Sequence, residues 1–145
     1  MHKKIRDLIQ AKDTCVLATV SGNIPHCSLM AYLPGEECRE IYMITQKKTK
    51  KYENLTQNSQ VSLLMDTREE DHGDQRNRAK ALTVNAVFQR IEDEGKKGLL
   101  RARFLKKHPH LLELINHPDA EIFCVKISSC QLLEGAMDSY FELIN

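Results

Sequence analysis

Ile5, Leu8 and Ile9 recur at i, i+3 and i+4 in an otherwise polar stretch, which predicts a short amphipathic helix over Lys3–Ala11. The pattern then tightens into short apolar runs. Cys15–Val20 reads as a buried strand, followed by turn chemistry at Ser21-Gly22-Asn23 and a second strand over His26–Leu33. Pro34-Gly35 is a strong turn dipeptide, and Glu40–Thr45 is a third strand. Short turns between the three predict an antiparallel meander. Lys48–Gln57 has no Gly or Pro and spaces Tyr52 and Leu55 three apart, which predicts a helix. Val61, Leu63 and Met65 alternate in a strand over Gln60–Met65. Thr67–Arg78 contains no apolar residue and reads as a solvated loop. Leu82, Val84, Ala86 and Phe88 alternate along a strand over Lys80–Ile91. A helix over Glu92–Lys107 follows, Pro109 starts another through Ile115, and Glu121–Leu133 is a last long strand before a short tail, Asp138–Ile144. Strands joined by tight turns predict an antiparallel sheet, and closing it into a barrel removes exposed edges.

The 145 residues show no composition break, so one domain over residues 1–145 is expected. Lys+Arg 21 against Asp+Glu 20 lacks the basic excess of a dedicated nucleic-acid binder. No apolar run approaches the ~20 residues of a membrane helix, and the N-terminus lacks the apolar stretch of a signal peptide. A cytoplasmic protein with no membrane or nucleic-acid partner is the expectation. Cys15, Cys27, Cys38, Cys124 and Cys130 are odd in number and contain no C-x-x-C pair, which argues against a disulfide framework. Cys15, Cys27 and Cys124 lie in apolar runs and read as buried small hydrophobes.

Chemistry-bearing motifs are sparse. Gly-rich nucleotide loops, a G-x-S-x-G elbow and H-E-x-x-H are all missing. Glu36-Glu37 and Glu69-Glu70-Asp71 lie in polar loops and read as solvated charge. His108-Pro109-His110, with His117, resembles a helix start more than a metal set, because the spacing fits no common zinc site. The exception is Lys47-Lys48-Thr49-Lys50-Lys51, between a strand ending at Thr45 and a helix beginning near Thr49. Free N–H groups and the dipole at a helix N-terminus favour an anion, Thr can cap or bind it, and lysines add charge-assisted hydrogen bonds. The same cluster also reads as a solvated charged loop. Cations at a helix N-terminus are unfavourable unless an anion compensates them, a local conflict of the kind found at functional sites.

The order of these segments resembles the pyridoxamine 5′-phosphate oxidase-like family of FMN-binding split β-barrels. Cys15–Tyr32 looks like that family's first hairpin. Ile41–Thr45, then Thr49-Lys50-Lys51, Asn54-Leu55 and Asn58–Leu64 resemble its central signature of strand, phosphate site, helix and strand. Arg103-Phe104-Leu105-Lys106-Lys107-His108-Pro109 resembles a segment of a subgroup related to haem-utilisation proteins. The resemblance spans about Ile5–Ala136. It implies a mainly β fold with helices, a six- to seven-stranded antiparallel split β-barrel, and a homodimer holding two FMN molecules near its interface.

Carried over by position, Thr49, Lys50 and Lys51 would hold the phosphate. Ile44 and Thr45 would line the ribityl and ring region, and Ser28, Leu29 and Met30 would lie along the isoalloxazine. Lys80 matches a position near the flavin. Departures from the family are Ser59 for Pro, Lys50 where Arg is frequent, Asn85 for Gly, and Leu33 where the oxidase has a basic substrate contact. Trp is absent, and the oxidase's C-terminal substrate segment has no counterpart before Asn145. The resemblance therefore implies an FMN-dependent oxidoreductase acting on a small-molecule substrate or electron donor, distinct from the pyridoxamine 5′-phosphate oxidase itself. Alternatives are a non-enzymatic flavin- or haem-binding stress-response protein, or a deazaflavin protein. His26, Cys27 and Tyr32 are candidates for chemistry beside the cofactor, with none nominated as acid or base. For haem, His108, His110 and His117 are the histidines to test.

Overall fold

The computed structural model describes residues 1–145. Helix α1 (Lys3–Ala11) is followed by β1 (Thr14–Ser21), β2 (Ile24–Ala31), β3 (Leu33–Pro34), β4 (Glu40–Gln46), α2 (Lys50–Gln57), β5 (Gln60–Asp66), β6 (Lys80–Arg90), α3 (Glu94–Lys107), α4 (Leu112–Ile115), β7 (Ala120–Glu134) and β8 (Asp138–Leu143). The strands form one antiparallel sheet in the order β2-β1-β5-β6-β7-β4-β3, with β8 added to β7. Its two edges, β2 and β3, are consecutive in the chain and separated only by Tyr32. A sheet whose first and last strands are joined by one residue must curl, and this one closes as a split barrel.

Inward-pointing residues fill the barrel: Cys15, Leu17, Met43, Leu63, Val84 and Val125 are all buried there. α1 lays Ile5, Leu8 and Ile9 against this core, and α2 adds Tyr52 and Leu55. Burying such a side chain is worth roughly 1.5–3 kcal/mol. Tyr32 is fully buried where the edges meet, and its hydroxyl donates to the Ile9 carbonyl at 2.5 Å.

A second core lies outside the barrel. Tyr42 and Ile44 of β4, with Ile122 and Cys124 of β7, pack under Leu100 and Phe104 of α3 and Ile115 of α4. The register Tyr42↔Cys124 and Ile44↔Ile122 puts these four on one outer face. α3 and α4 thus cover half of the outer sheet surface and leave the other half bare.

Several expectations change. The third strand does not continue a meander; β4 pairs with β7 and β3, on the far edge from β1 and β2. The second strand stops at Ala31, where Tyr32 turns into the core. α2 begins at Lys50, because the Lys48 N–H donates to Asp119 Oδ2 at 2.9 Å and Thr49 caps the helix. α3 begins at Glu94, capped by Asp93. The polar loop ends in a 3₁₀ turn over Gly73–Arg78, and the tail is a strand, β8. Cys27 is exposed, since the register Ala18↔Cys27 places it on the bare outer face of an edge strand. The other four cysteines are buried and free. No helix is long and apolar enough to cross a membrane.

Candidate functional site

A hollow of about 400 Å³ opens where the ends of β2 and β4 meet the N-terminus of α2 and the α3–α4 corner. That volume lies within the usual range of small-molecule pockets, about 300–1,000 Å³. Leu29, Met30, Ile44, Phe104, Leu111 and Leu114 form its apolar walls. Thr45, Gln46, Thr49, Lys51 and His110 supply polar groups. Six of the nine residues singled out from the sequence therefore meet here: Leu29, Met30, Ile44, Thr45, Thr49 and Lys51.

Thr49 is the N-cap of α2. Its Oγ1 accepts the Tyr52 N–H at 3.2 Å, and its hydroxyl donates to the Gln46 carbonyl at 2.9 Å. The cap shapes the N-terminal end of the helix, and the hydroxyl proton is already used. The Lys50 and Lys51 N–H groups, in the first turn of α2, have no intrahelical or capping acceptor. Lys51 reaches back into the hollow, where its Nζ lies 3.2 Å from Met30 Sδ. No carboxylate lies within ion-pair distance of it. Burial holds its ammonium below the ordinary lysine range. A half-buried cation with only a thioether for a partner is an incomplete site.

The remaining three sit elsewhere. Lys50 is exposed at the first position of α2, beside the hollow rather than in its wall. Ser28 is half-buried on the inward-facing side of β2, opposite Leu17. Lys80 stands at the start of β6, its N–H donating to Thr67 Oγ1 at 2.9 Å, away from the hollow of its own chain. Tyr32 is a core residue, His26 is half-buried on β2, and Cys27 is exposed.

The histidines separate. His108 is buried, and its Nε2 donates to the Tyr32 carbonyl at 2.8 Å, tying the α3 end to the junction of the sheet edges. His117 Nδ1 accepts the Asp119 N–H at 3.0 Å in the turn before β7. His110 alone lines the hollow. Phe104, Leu111, Leu114 and Gln46 also line it and carried no sequence signal of their own. Phe104 and the leucines read as helix core, and only the corner at His108-Pro109 folds them over β4.

The pyridoxamine 5′-phosphate oxidase family model matches residues 1–134. The chain belongs to that family. No curated protein matches it. Among solved structures it is similar to the haem storage protein HutZ of Vibrio cholerae, with 21% identity and a TM-score of 0.74, covering 91% of this chain and 92% of that one. It is also similar to an FAD-binding protein of Mesorhizobium loti, with 18% identity and a TM-score of 0.73 over 92% of each chain. A haem-binding protein of Mycobacterium smegmatis matches with 15% identity and a TM-score of 0.81, covering 97% of this chain. This chain spans 57% of that one's length. These likenesses establish the split-barrel fold.

Proposed function

We propose that the chain binds FMN in this hollow, at the interface of a homodimer, and serves as a flavin-dependent oxidoreductase. The observation that carries this reading is the unpaired Lys51 ammonium beside the open N-terminus of α2, facing an apolar wall. That arrangement suits a molecule with a phosphate at one end and a flat ring at the other. Lys51, Lys50 and the first-turn N–H groups would hold the phosphate. Thr45 and Gln46 would meet the polar chain, and Leu29, Met30 and Ile44 the ring. When bound, the flavin supplies the redox chemistry, and these residues orient it and exclude water.

The bare half of the sheet supports a dimer. The registers Val16↔Leu29, Val16↔Leu64 and Leu64↔Thr83 set these residues side by side, and Thr83↔Gln131 continues the row. The row carries no charge, and Leu29 is 76% exposed. Such a surface suits a self-complementary two-fold contact, which needs about 800 Å² per partner. Leu29 lies both on this face and in the hollow wall, so a second copy would complete the site. Lys80 would then act, if at all, from the partner.

The test is a fluorescence titration of FMN into wild type and into the Lys50→Ala/Lys51→Ala variant. The variant should stay folded and lose affinity, since both side chains face solvent or the hollow. Equal affinity in the two would overturn the cradle. His110 in the wall favours one second reading, a haem held in the same hollow. A Soret band that His110→Ala abolishes would select it.

A further inference from the structure

A larger hollow, about 540 Å³, lies at the opposite end of β4 and shares no lining residue with the first. Tyr42 and Leu100 are buried at its base. Lys96 and Arg103 reach it from α3, Lys126 from β7, and Arg39 from the turn before β4. Lys96, Leu100 and Arg103 fall at i, i+4 and i+7, one face of the helix. Glu40 is paired with Lys126 in the ladder, which sets that lysine on the α3-covered face.

We infer that this hollow is a second ligand site, for a small organic anion with an apolar body. The first observation is charge. Lys96, Arg103 and Lys126 have no carboxylate within 4.0 Å. Of the carboxylates in the same lining, Glu37 pairs with Arg39 at 3.5 Å, Glu40 accepts the Tyr42 hydroxyl and stands opposite Lys126 in the ladder, and Glu36 lies on the turn at the rim. Lys96 and Arg103, on one face of α3, thus border the hollow as cations that no carboxylate pairs, a local conflict that a bound anion relieves. Their convergence is visible in their neighbours. Burial and then the Glu40 carboxylate push the Cys124 thiol and the Tyr42 hydroxyl up, while Lys96 and Lys126 pull against them at Cys124 and Arg103 at Tyr42.

The second observation is the apolar floor. Lys96 Nζ stands 5.7 Å from the centre of the Tyr42 ring, and Leu99, 72% exposed on α3, forms the rim. An exposed leucine beside an aromatic floor leaves apolar surface for a ring or branched chain. The third is a preformed wall. Cys38 is fully buried with φ 54, the left-handed region that a non-glycine residue adopts only under constraint. Its N–H donates to the Gly35 carbonyl at 3.0 Å, and the Gly35 N–H to the Glu40 carbonyl at 2.8 Å. The turn that presents Arg39 is therefore pinned in place. Glu36, also on that turn, has no ion-pair partner and disfavours a ligand charged at both ends.

The test uses phenyl phosphate as the probe, followed by two-dimensional amide NMR of the full chain. Saturable shifts at Gly35 and over Lys96–Arg103 are expected. Inorganic phosphate should bind more weakly and benzyl alcohol should not saturate, because each lacks half of the recognised chemistry. Lys96→Ala/Arg103→Ala should weaken phenyl phosphate at least tenfold with the thermal midpoint unchanged, since both side chains are exposed. Shifts that fail to saturate, persist in that variant, or centre only on Thr49–Lys51 would overturn the site. Lys126→Ala gives an independent check from the strand side and should also weaken binding.

Discussion

Lys51 enters a half-buried hollow with its ammonium against Met30 sulfur and no counter-charge. A charge-assisted hydrogen bond to phosphate is worth about 1.5–3 kcal/mol. Lys51→Ala should therefore weaken FMN binding by roughly ten- to a hundredfold, read by the same fluorescence titration. Burial lowers the Lys51 pKa, so in the free protein its ammonium loses its proton at a lower pH than an exposed lysine would, whereas a bound phosphate favours the cation. Affinity should accordingly fall as pH rises through a value below the ordinary lysine pKa of about 10.4, and the Lys51→Ala variant should lack that limb. Lysine and threonine between strand and helix were readable in the sequence because the chemistry of a helix N-terminus is local. Cys27 was misread because an apolar run does not say which of its residues face inward. Alternation with buried Met30 places Cys27 and Leu29 outside. His110 was named only as one of three candidate histidines, and Leu111 and Leu114 were missed as wall residues, because their position depends on a corner between helices, which no local spacing encodes.

Among the elements, α2 decides where the cradle points. Asn54, on its buried face, donates through Nδ2 to Thr19 Oγ1 of β1 at 3.1 Å, while its Oδ1 is buried without a partner. The pair fixes the rotation of α2 at the expense of one unsatisfied acceptor. Thr19→Val should cost about 1–3 kcal/mol, because it strands a second buried polar atom. Thr19→Val with Asn54→Leu should recover most of that loss, seen as a return of the urea midpoint towards wild type. Equal midpoints for the single and double variants would show that the pair contributes nothing. Strand and helix identities were legible in the periodicity for every long element, from α1 to β7. Pairing was not. The meander expectation failed at β4 because Tyr32 carries the chain from one sheet edge to the other, a choice set by barrel closure rather than by turn length. β8 was missed because exposed Tyr140, Phe141 and Leu143 lack an alternating buried partner set, and β7 provides its ladder.

At the scale of the whole molecule, the outer sheet surface is divided between a half roofed by α3 and α4 and a half left bare, crossed by an uncharged row from Leu29 to Gln131. A two-fold partner on the bare half would bring a second chain to the Leu29 wall. Leu64, half-buried in the middle of that row, is the position to challenge. Leu64→Glu should shift the light-scattering mass from dimer to monomer, with weaker FMN binding, since an unpaired charge buried at such a contact is costly. An unchanged dimer would place the interface elsewhere. The family and the barrel were both legible from segment order, while the division of the outer face emerged only with the register. The central claim is that the Lys51 hollow binds FMN at a dimer interface. Its most direct test is titration of the wild-type protein with FMN while molecular mass is recorded on the same sample. Saturation at one flavin per chain in a particle of two chains is the predicted result, and no saturable binding by the folded protein would contradict it.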